Sequence, residues 1–203
     1  MDFDAAARSW DQDPTKVERA ERVAAAILEL AGPLEGKRAL EYGCGTGLLG
    51  FALQAHLAHV TLADSSPGML AVLREKIAAA GAGNMEPLEL DVAKGPWPEA
   101  RFDLVFTLMV LHHVPDLDGA IRAFHTLLNP GGRLCISDLD KEDGSFHGPK
   151  ADVHRGFDRR DLAGRLERAG FRDIRFATPY VVHLERAMGM ASYPLFLAVA
   201  ERG

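Results

Sequence analysis

Apolar positions first recur at helical spacing. Val17, Ala20, Val23, Ala24, Ile27, Leu28 and Ala31 share one face of residues 15–31, and Glu18, Arg19, Arg22 and Glu29 lie on the other. Gly32-Pro33 stops this helix. The pattern then changes to short apolar runs separated by helical stretches. Strands are predicted over residues 38–42, 59–63, 86–90, 102–108 and 133–139, with Pro87 weakening the third at its start. Helices are predicted over 48–57, 68–80 and 117–128, the second ended by Gly81-Ala82-Gly83. Asn129-Pro130-Gly131-Gly132 reads as a turn. Alternation of this kind means an α/β fold with a mostly parallel sheet and helices on both faces.

The two ends differ. Residues 1–14 are polar, with Phe3 and Trp10 as isolated large apolar groups, and they finish at Pro14. Residues 140–157 form a long polar connection, which in a compact domain is usually functional or mobile. Asp158 can then cap a helix over 159–169, ended by Gly170. Residues 174–184 and 195–200 are strand-like without a full crossover helix between them, so they read as a strand pair at the C-terminal edge. The 203 residues carry no internal repeat and suit a single domain.

Composition narrows the classes of function. Hydrophobic residues make up 47% and charged residues 26%, which excludes a disordered, collagenous or coiled-coil chain. The net charge is −6, and the adjacent basic pairs are only Lys37-Arg38 and Arg159-Arg160. A protein that holds nucleic acid by neutralising phosphates needs far more positive charge on one face. Two cysteines, Cys44 and Cys135, make neither a disulfide scaffold nor a CxxC zinc motif, and they fit a reducing compartment. No signal-peptide pattern opens the chain, and the longest mainly apolar stretch, 104–111, is too short to span a bilayer. A cytoplasmic protein without membrane or nucleic-acid partners, monomeric or homodimeric, is the expectation.

The most informative stretch is Glu41-Tyr42-Gly43-Cys44-Gly45-Thr46-Gly47, which leaves a predicted strand and opens a helix. Glycines there let backbone approach a ligand and leave helix N-terminal amides free. The spacing is GxGxG; a GxGxxG dinucleotide loop would need glycine where Leu48 stands. Asp64 follows 17 positions after Gly47, at the end of the next strand, where a carboxylate can accept both ribose hydroxyls of a nucleoside. Asp91 ends the third strand and suits an exocyclic adenine amine, with the Val92 amide beside it. Each feature alone is ordinary. Together they line the carboxyl edge of successive strands, where open α/β sheets bind ligands.

On these residues the chain resembles the class I S-adenosylmethionine-dependent methyltransferases. Glu41-x-Gly43-x-Gly45-x-Gly47 is similar to their first motif, Asp64 to the acid of the second, and Asp91-Val92 to the adenine-contacting pair. Phe102-Asp103-Leu104-Val105 with Leu111-His112-His113-Val114 resembles the fourth motif, and Leu128 to Leu134 resembles the turn before the fifth strand. The likeness spans about residues 38–140 and looks closest to the ubiquinone/menaquinone C-methyltransferase-like group. It implies a Rossmann-like seven-stranded sheet, mostly parallel, with an antiparallel C-terminal strand. It also implies S-adenosylmethionine as cofactor, held by Trp10, Glu41, Gly43, Cys44, Gly45, Thr46, Gly47, Asp64, Ser65, Met69, Asp91, Val92, Thr107 and Leu108. The single domain would then divide into a lid and helix (1–31), a cofactor-binding core (38–140) and a substrate-side segment with the strand pair (141–203).

Methyl transfer from a sulfonium is an in-line displacement, so the site must align an acceptor and exclude water. Hydroxyl, ammonium or carbon-acid acceptors also need a base. His112, His113, His147 and His154 are candidates, with His113 and His147 the preferred pair and at least one of His112 and His113 structural. The acidic segment 138–147 leaves strand five at the same edge, where Asp140 or Glu142 suits a cationic acceptor. A carboxylate-held hard metal would need an acid at the end of strand four, which reads Thr107-Leu108-Met109, so no metal is expected. That same stretch lacks the D/N-P-P-aromatic motif of adenine-amine enzymes, and neither cysteine sits where a cytosine-carbon enzyme needs its nucleophile. A small-molecule acceptor remains. The alternatives are a module that binds the cofactor without catalysis, and a nicotinamide-dependent oxidoreductase, which the GxGxG spacing and the C-terminal strand pair disfavour.

Overall fold

The computed structural model describes residues 2–91, 98–148, 151–186 and 189–203. Seven strands form one sheet in the order β3-β2-β1-β4-β5-β7-β6. β1 (Arg38–Tyr42), β2 (His59–Asp64), β3 (Met85–Glu89), β4 (Phe102–Leu108) and β5 (Leu128–Leu139) run parallel. β7 (Gly189–Arg202) runs antiparallel between β5 and β6 (Phe171–Arg186), so the seven-stranded, mostly parallel reading holds. Because β1 sits between β2 and β4, the winding reverses there and opens a crevice at the carboxyl ends of the strands.

Alternation along the strands builds the two larger cores. Leu40, Tyr42, Phe102 and Val105 face α5 (Leu117–Leu127) and α6 (Arg159–Arg168). Ala39, Leu104 and Phe106 face α2 (Pro14–Leu30), α3 (Leu48–Leu53) and α4 (Pro67–Ala80). Successive side chains on a strand point to opposite faces, so buried runs such as these need helices on both. Phe124 on α5 is fully buried against the Tyr42 ring, with centroids 5.4 Å apart. Truncating such a phenylalanine costs about 3–5 kcal/mol.

Caps set the helix starts. Asp13 accepts from the Thr15 amide at 3.0 Å with Pro14 in the first turn, and Asp158 accepts from the amides of Arg160 and Asp161. The largest differences from the sequence pattern lie at the ends. Most of the polar N-terminal segment is helical, with α1 (Phe3–Ala6) followed by a 3-10 turn over Ala7–Gln12; Asp2 starts it by accepting from the Ala5 amide at 3.1 Å. The last two strands are longer than their apolar runs. Only Leu195 to Ala200 of β7 are continuously buried; toward the hairpin end burial becomes intermittent, with Val182 and Tyr193 packed on Leu139 and Leu195 in a small third cluster. β5 begins five residues early, but 129–132 has no ladder partner: Phe102 pairs with Leu128 and Leu104 with Arg133, so the expected turn survives as a bulge.

Candidate active site

The glycine loop is shaped by space as much as by torsion. Gly43, Gly45 and Gly47 all have positive φ. A Cβ on Gly43 would lie 2.4 Å from Val110 Cγ2, on the turn after β4, so that position excludes any side chain. The amides of Gly43 and Cys44 both donate to the Ala63 carbonyl of β2, at 2.8 and 3.0 Å. Asp64, at the end of β2, fixes the next part of the loop. Its Oδ2 accepts from the Gly45 amide at 2.7 Å and its Oδ1 from the Ser66 amide at 2.8 Å. A carboxylate oxygen has capacity beyond one bond, so each retains a lone pair for a ligand hydroxyl. The Leu90 amide donates to the Asp64 carbonyl at 3.0 Å, which brings the β3 end carrying Asp91 alongside.

Glu41 lies on β1 beneath the loop and is 2% exposed. One of its carboxylate oxygens has no hydrogen-bond partner among the described residues. Burial pushes its pKa up to about 8, against the pull of the Gly50 amide. Such a group lacks a cation. A cradle closed to side chains at Gly43, a part-satisfied acid at Asp64 and an orphaned acid at Glu41 together fit a nucleoside that carries an ammonium group. Cys44, Thr46 and Met69 line the buried side of this loop, and Ser65 is exposed beside Asp64. Thr107 and Leu108 end β4 next to Met109, which holds a left-handed φ of 57°, and the Thr107 hydroxyl is buried without a partner. The structure thus gathers the expected cofactor residues at one edge; Val92 falls outside the described residues.

The N-terminal segment closes over this loop through residues that sequence reasoning missed. Asp11 accepts from the Thr46 hydroxyl and from Lys76, whose ammonium lies 2.6 Å away and also donates to the Thr46 carbonyl at 2.7 Å. Asp4 accepts from the Ser66 hydroxyl and from the Gly68 amide at 2.9 Å. Phe3 stacks edge-on against His113, with centroids 5.6 Å apart, and Trp10 packs on Phe3 at 6.0 Å. The only sequence signal was the isolated pair Phe3 and Trp10; nothing in the spacing of Asp4 and Asp11 ties them to residues more than 30 positions away.

Beyond β4, a 3-10 turn over Leu111–His113 sets out the two neighbouring histidines. His112 is 1% exposed, and its Nδ1 lies 2.7 Å from Oδ1 of the equally buried Asp138 on β5. The His112 amide also donates to Asp138 Oδ2 at 3.2 Å. His112 is therefore the member of the pair whose ring is fixed from behind, by Asp138. His147 comes in from the connection after β5, and the ring centroids of His112, His113 and His147 lie 4.1, 4.9 and 5.3 Å apart. Burial lowers the His113 pKa to about 4 and that of His147 in the same direction, with the other imidazoles adding to the effect.

The rest of the acidic segment is occupied internally. Asp140 receives a two-pronged bond from Arg159 at 2.7 and 2.6 Å, and Glu142 Oε2 accepts from the amides of Gly144 and Phe146. Neither is placed for a cationic acceptor, because each carboxylate already holds its own connection in shape. His154 is likewise structural: its amide donates to the His112 carbonyl at 2.8 Å, and its Nε2 lies 3.0 Å from the Val114 carbonyl.

Known proteins agree with this architecture. The methyltransferase domain family matches residues 16–175. The ubiquinone/menaquinone biosynthesis C-methyltransferase UbiE of Pseudomonas putida is 36% identical over 143 residues, 68% of this chain and 56% of that protein. The ubiquinone biosynthesis O-methyltransferase of Xylella fastidiosa is 37% identical over 117 residues, 56% of this chain and 46% of its own. The chain thus matches about half the length of these curated relatives. An S-adenosylmethionine-dependent methyltransferase from Aquifex aeolicus superposes with a TM-score of 0.67 at 20% identity, covering 94% of this chain and 99% of that one. Phosphoethanolamine N-methyltransferase 2 of Haemonchus contortus, in complex with S-adenosylmethionine, gives 0.72 at 17% identity over 88% of this chain and 52% of its own. Likeness at that identity speaks for the fold alone. The chain belongs to the class I S-adenosylmethionine-dependent methyltransferase family. Within that class it is UbiE-like. Among the described residues, no helix is long and apolar enough to cross a membrane.

Proposed function

We propose that this chain transfers a methyl group from S-adenosylmethionine to a small-molecule acceptor bound on the His113 and His147 side of the crevice. The observation that carries the reading is the orphaned, buried Glu41 carboxylate beneath a glycine cradle that Asp64 holds in shape. When bound, the cofactor supplies a methyl group on a positively charged sulfur, already activated for displacement. Glu41 takes the amino-acid ammonium and gives up its proton in doing so. Asp64 accepts from the ribose hydroxyls, Asp91 with Val92 holds the adenine, and the ends of β1 and β4 bound the methionine moiety at Gly43, Thr107 and Leu108. Residues 1–31 act as lid and supporting helix, 38–140 as the cofactor core, and 141–203 as the acceptor side. Phe3 and Trp10 exclude water from above.

His113 and His147 are neutral at pH 7, because burial holds both below the ordinary imidazole value. Each therefore offers a lone pair toward the acceptor. The names of the two relatives favour an intermediate of ubiquinone biosynthesis as the acceptor class. Calorimetric titration with S-adenosylhomocysteine, followed by labelled methyl transfer to a panel of phenolic and quinol acceptors, tests the reading. Micromolar binding with transfer supports it. Binding without transfer to any acceptor identifies a cofactor-holding module instead, and no binding removes the cofactor assignment.

A further inference from the structure

The acceptor side holds an arrangement that methyl transfer by itself does not require. His112, His113 and His147 each bring one ring nitrogen to within 4.8 Å of the other two. The ring of His112 is held from behind. Its Nδ1 faces the carboxyl of Asp138 at 2.7 Å, which leaves Nε2 as the ring atom that can meet a ligand. That Nε2 is buried without a partner, and so is Nε2 of His147. A buried ring nitrogen left unmet is destabilising, and two such atoms lie beside a third imidazole. They come from different elements, the turn after β4 and the connection after β5, so no local geometry forces them together.

The usual remedies are missing here. No protein donor among the described residues reaches either nitrogen. The Asp138 carboxylate is already engaged by the His112 ring and by the amides of His112 and Leu139. Three imidazoles, one backed by a carboxylate, are instead the donor set of a zinc-type ion: nitrogen ligands, with an acid behind one ring fixing its orientation.

We propose that His112, His113 and His147 form a binding site for one divalent transition-metal ion of the zinc type, with Asp138 as the positioning residue behind His112. Nitrogen ligands about 2.0–2.1 Å from such an ion require the three ring atoms to draw in by roughly 1 Å. His147 sits on a half-buried connection that can supply the movement. Three protein ligands leave one position open, as in catalytic rather than structural zinc sites. This refines the acceptor side of the proposed function and rests on that reading for its role: the open position selects an acceptor with an ionisable oxygen, such as a phenol or an enol. A reading of the sequence that looks for a metal held by carboxylates does not find this site, because its ligands are imidazoles.

The test uses the full chain, stripped with a chelator and titrated with Zn2+ against a chromophoric competitor, and with Co2+ followed by its visible absorption. One ion per chain, with an intense tetrahedral-type cobalt band, is the expected result. His147→Ala should weaken binding by at least 10-fold and abolish the band, since a lost ligand exceeds the 10–100-fold of a lost second-shell partner. His147→Cys should restore tight binding with a sulfur-to-cobalt charge-transfer band, which a merely structural histidine would not produce. His147 is half-buried, so these variants avoid the folding risk of changing His112. Wild-type affinity no greater than that of His147→Ala overturns the proposal. S-adenosylhomocysteine titrated into the same samples separates the two readings: cofactor binding without metal binding removes only the metal site, and metal binding without cofactor binding leaves the ion but removes its role toward an acceptor.

Discussion

The two halves of the crevice, which the proposed function assigns to cofactor and acceptor, are built by opposite means. On the cofactor side, between Glu41 and Met69, the backbone does the holding: glycine amides donate to Ala63 and Asp64, and side chains are kept out at Gly43. On the acceptor side, between Thr107 and Phe157, side chains converge from separate elements, with His112 on Asp138, His147 beside both histidines, and Arg159 on Asp140. A backbone cradle is rigid and serves any ligand with a common moiety. A side-chain constellation can be changed residue by residue, which is where specificity for one acceptor can arise on a shared fold.

The sharpest way to break this contrast is Gly43→Ala. The left-handed backbone there costs a non-glycine residue about 1–3 kcal/mol, and forcing a methyl into a filled space costs about as much again. The expected loss is about 2–5 kcal/mol of stability by denaturant titration, along with cofactor binding. Because a Cβ would meet Val110, Gly43→Ala with Val110→Ala should recover the packing part but not the torsional part. If the single variant melts like wild type, the cradle is not set by exclusion.

Asp64→Ala comes next. It removes a charged acceptor from the Gly45 and Ser66 amides and, on the proposed reading, from the ribose as well. Hydrogen bonds to charged groups are worth about 1.5–3 kcal/mol each, so affinity for S-adenosylhomocysteine should fall roughly 100-fold or more. Near-normal affinity in calorimetry would remove the ribose assignment.

The same contrast explains what the sequence disclosed. A backbone cradle is local, so its glycine spacing and the acid 17 residues on are visible in a linear chain. So are the buried strands, whose apolar runs mark the central sheet. The acceptor side is not local: Asp138 reaches His112 across 26 positions, and Asp140 reaches Arg159 across 19. From the sequence, the carboxylates of 138–147 look alike, whereas folding makes one a buried partner of histidine and others supports of their own loop. The packing of the N-terminal segment on the glycine loop was partly legible, because Phe3 and Trp10 stand out in a polar segment, but the ion pair of Asp11 with Lys76 has no linear signature. The exposed parts of β6 and β7 escaped for a related reason, since backbone pairing holds them with little burial.

Titration sharpens the comparison with a smaller effect, because the two halves respond to pH in opposite senses. Glu41 has a folded pKa of about 8 against an ordinary 4.5. Between these values the unfolded chain releases a proton that the folded chain keeps, so stability falls as pH rises through that window. His113 has a folded pKa of about 4 against an ordinary 6.5. There the unfolded chain takes up a proton that the folded chain refuses, so stability falls as pH drops from 6.5 toward 4. Glu41→Gln should flatten the alkaline limb of a melting-temperature profile, and His113→Phe the acid limb. Saturating S-adenosylhomocysteine should also flatten the alkaline limb, because the ammonium pairs with ionised Glu41. An alkaline limb unchanged by the ligand would put the ammonium elsewhere.

The smallest effect separates two charges in the N-terminal segment itself. Asp11 is half-buried and joins Thr46 and Lys76, so it ties the segment to the glycine loop. Arg8 reaches Glu75 from a side chain that is 79% exposed, and its bond at 3.3 Å is long. Exposed pairs contribute about 0–1 kcal/mol and are screened by salt. Arg8→Ala should therefore change cofactor affinity by less than about 2-fold, with no trend between low and high salt beyond that. Asp11→Ala should weaken affinity several-fold, in both calorimetry and off-rate, because it frees Lys76 and unlatches Phe3 and Trp10 from above the site. Equal effects from the two variants would mean that the segment is held by its own packing, and that the cofactor side is a backbone cradle without a side-chain lid.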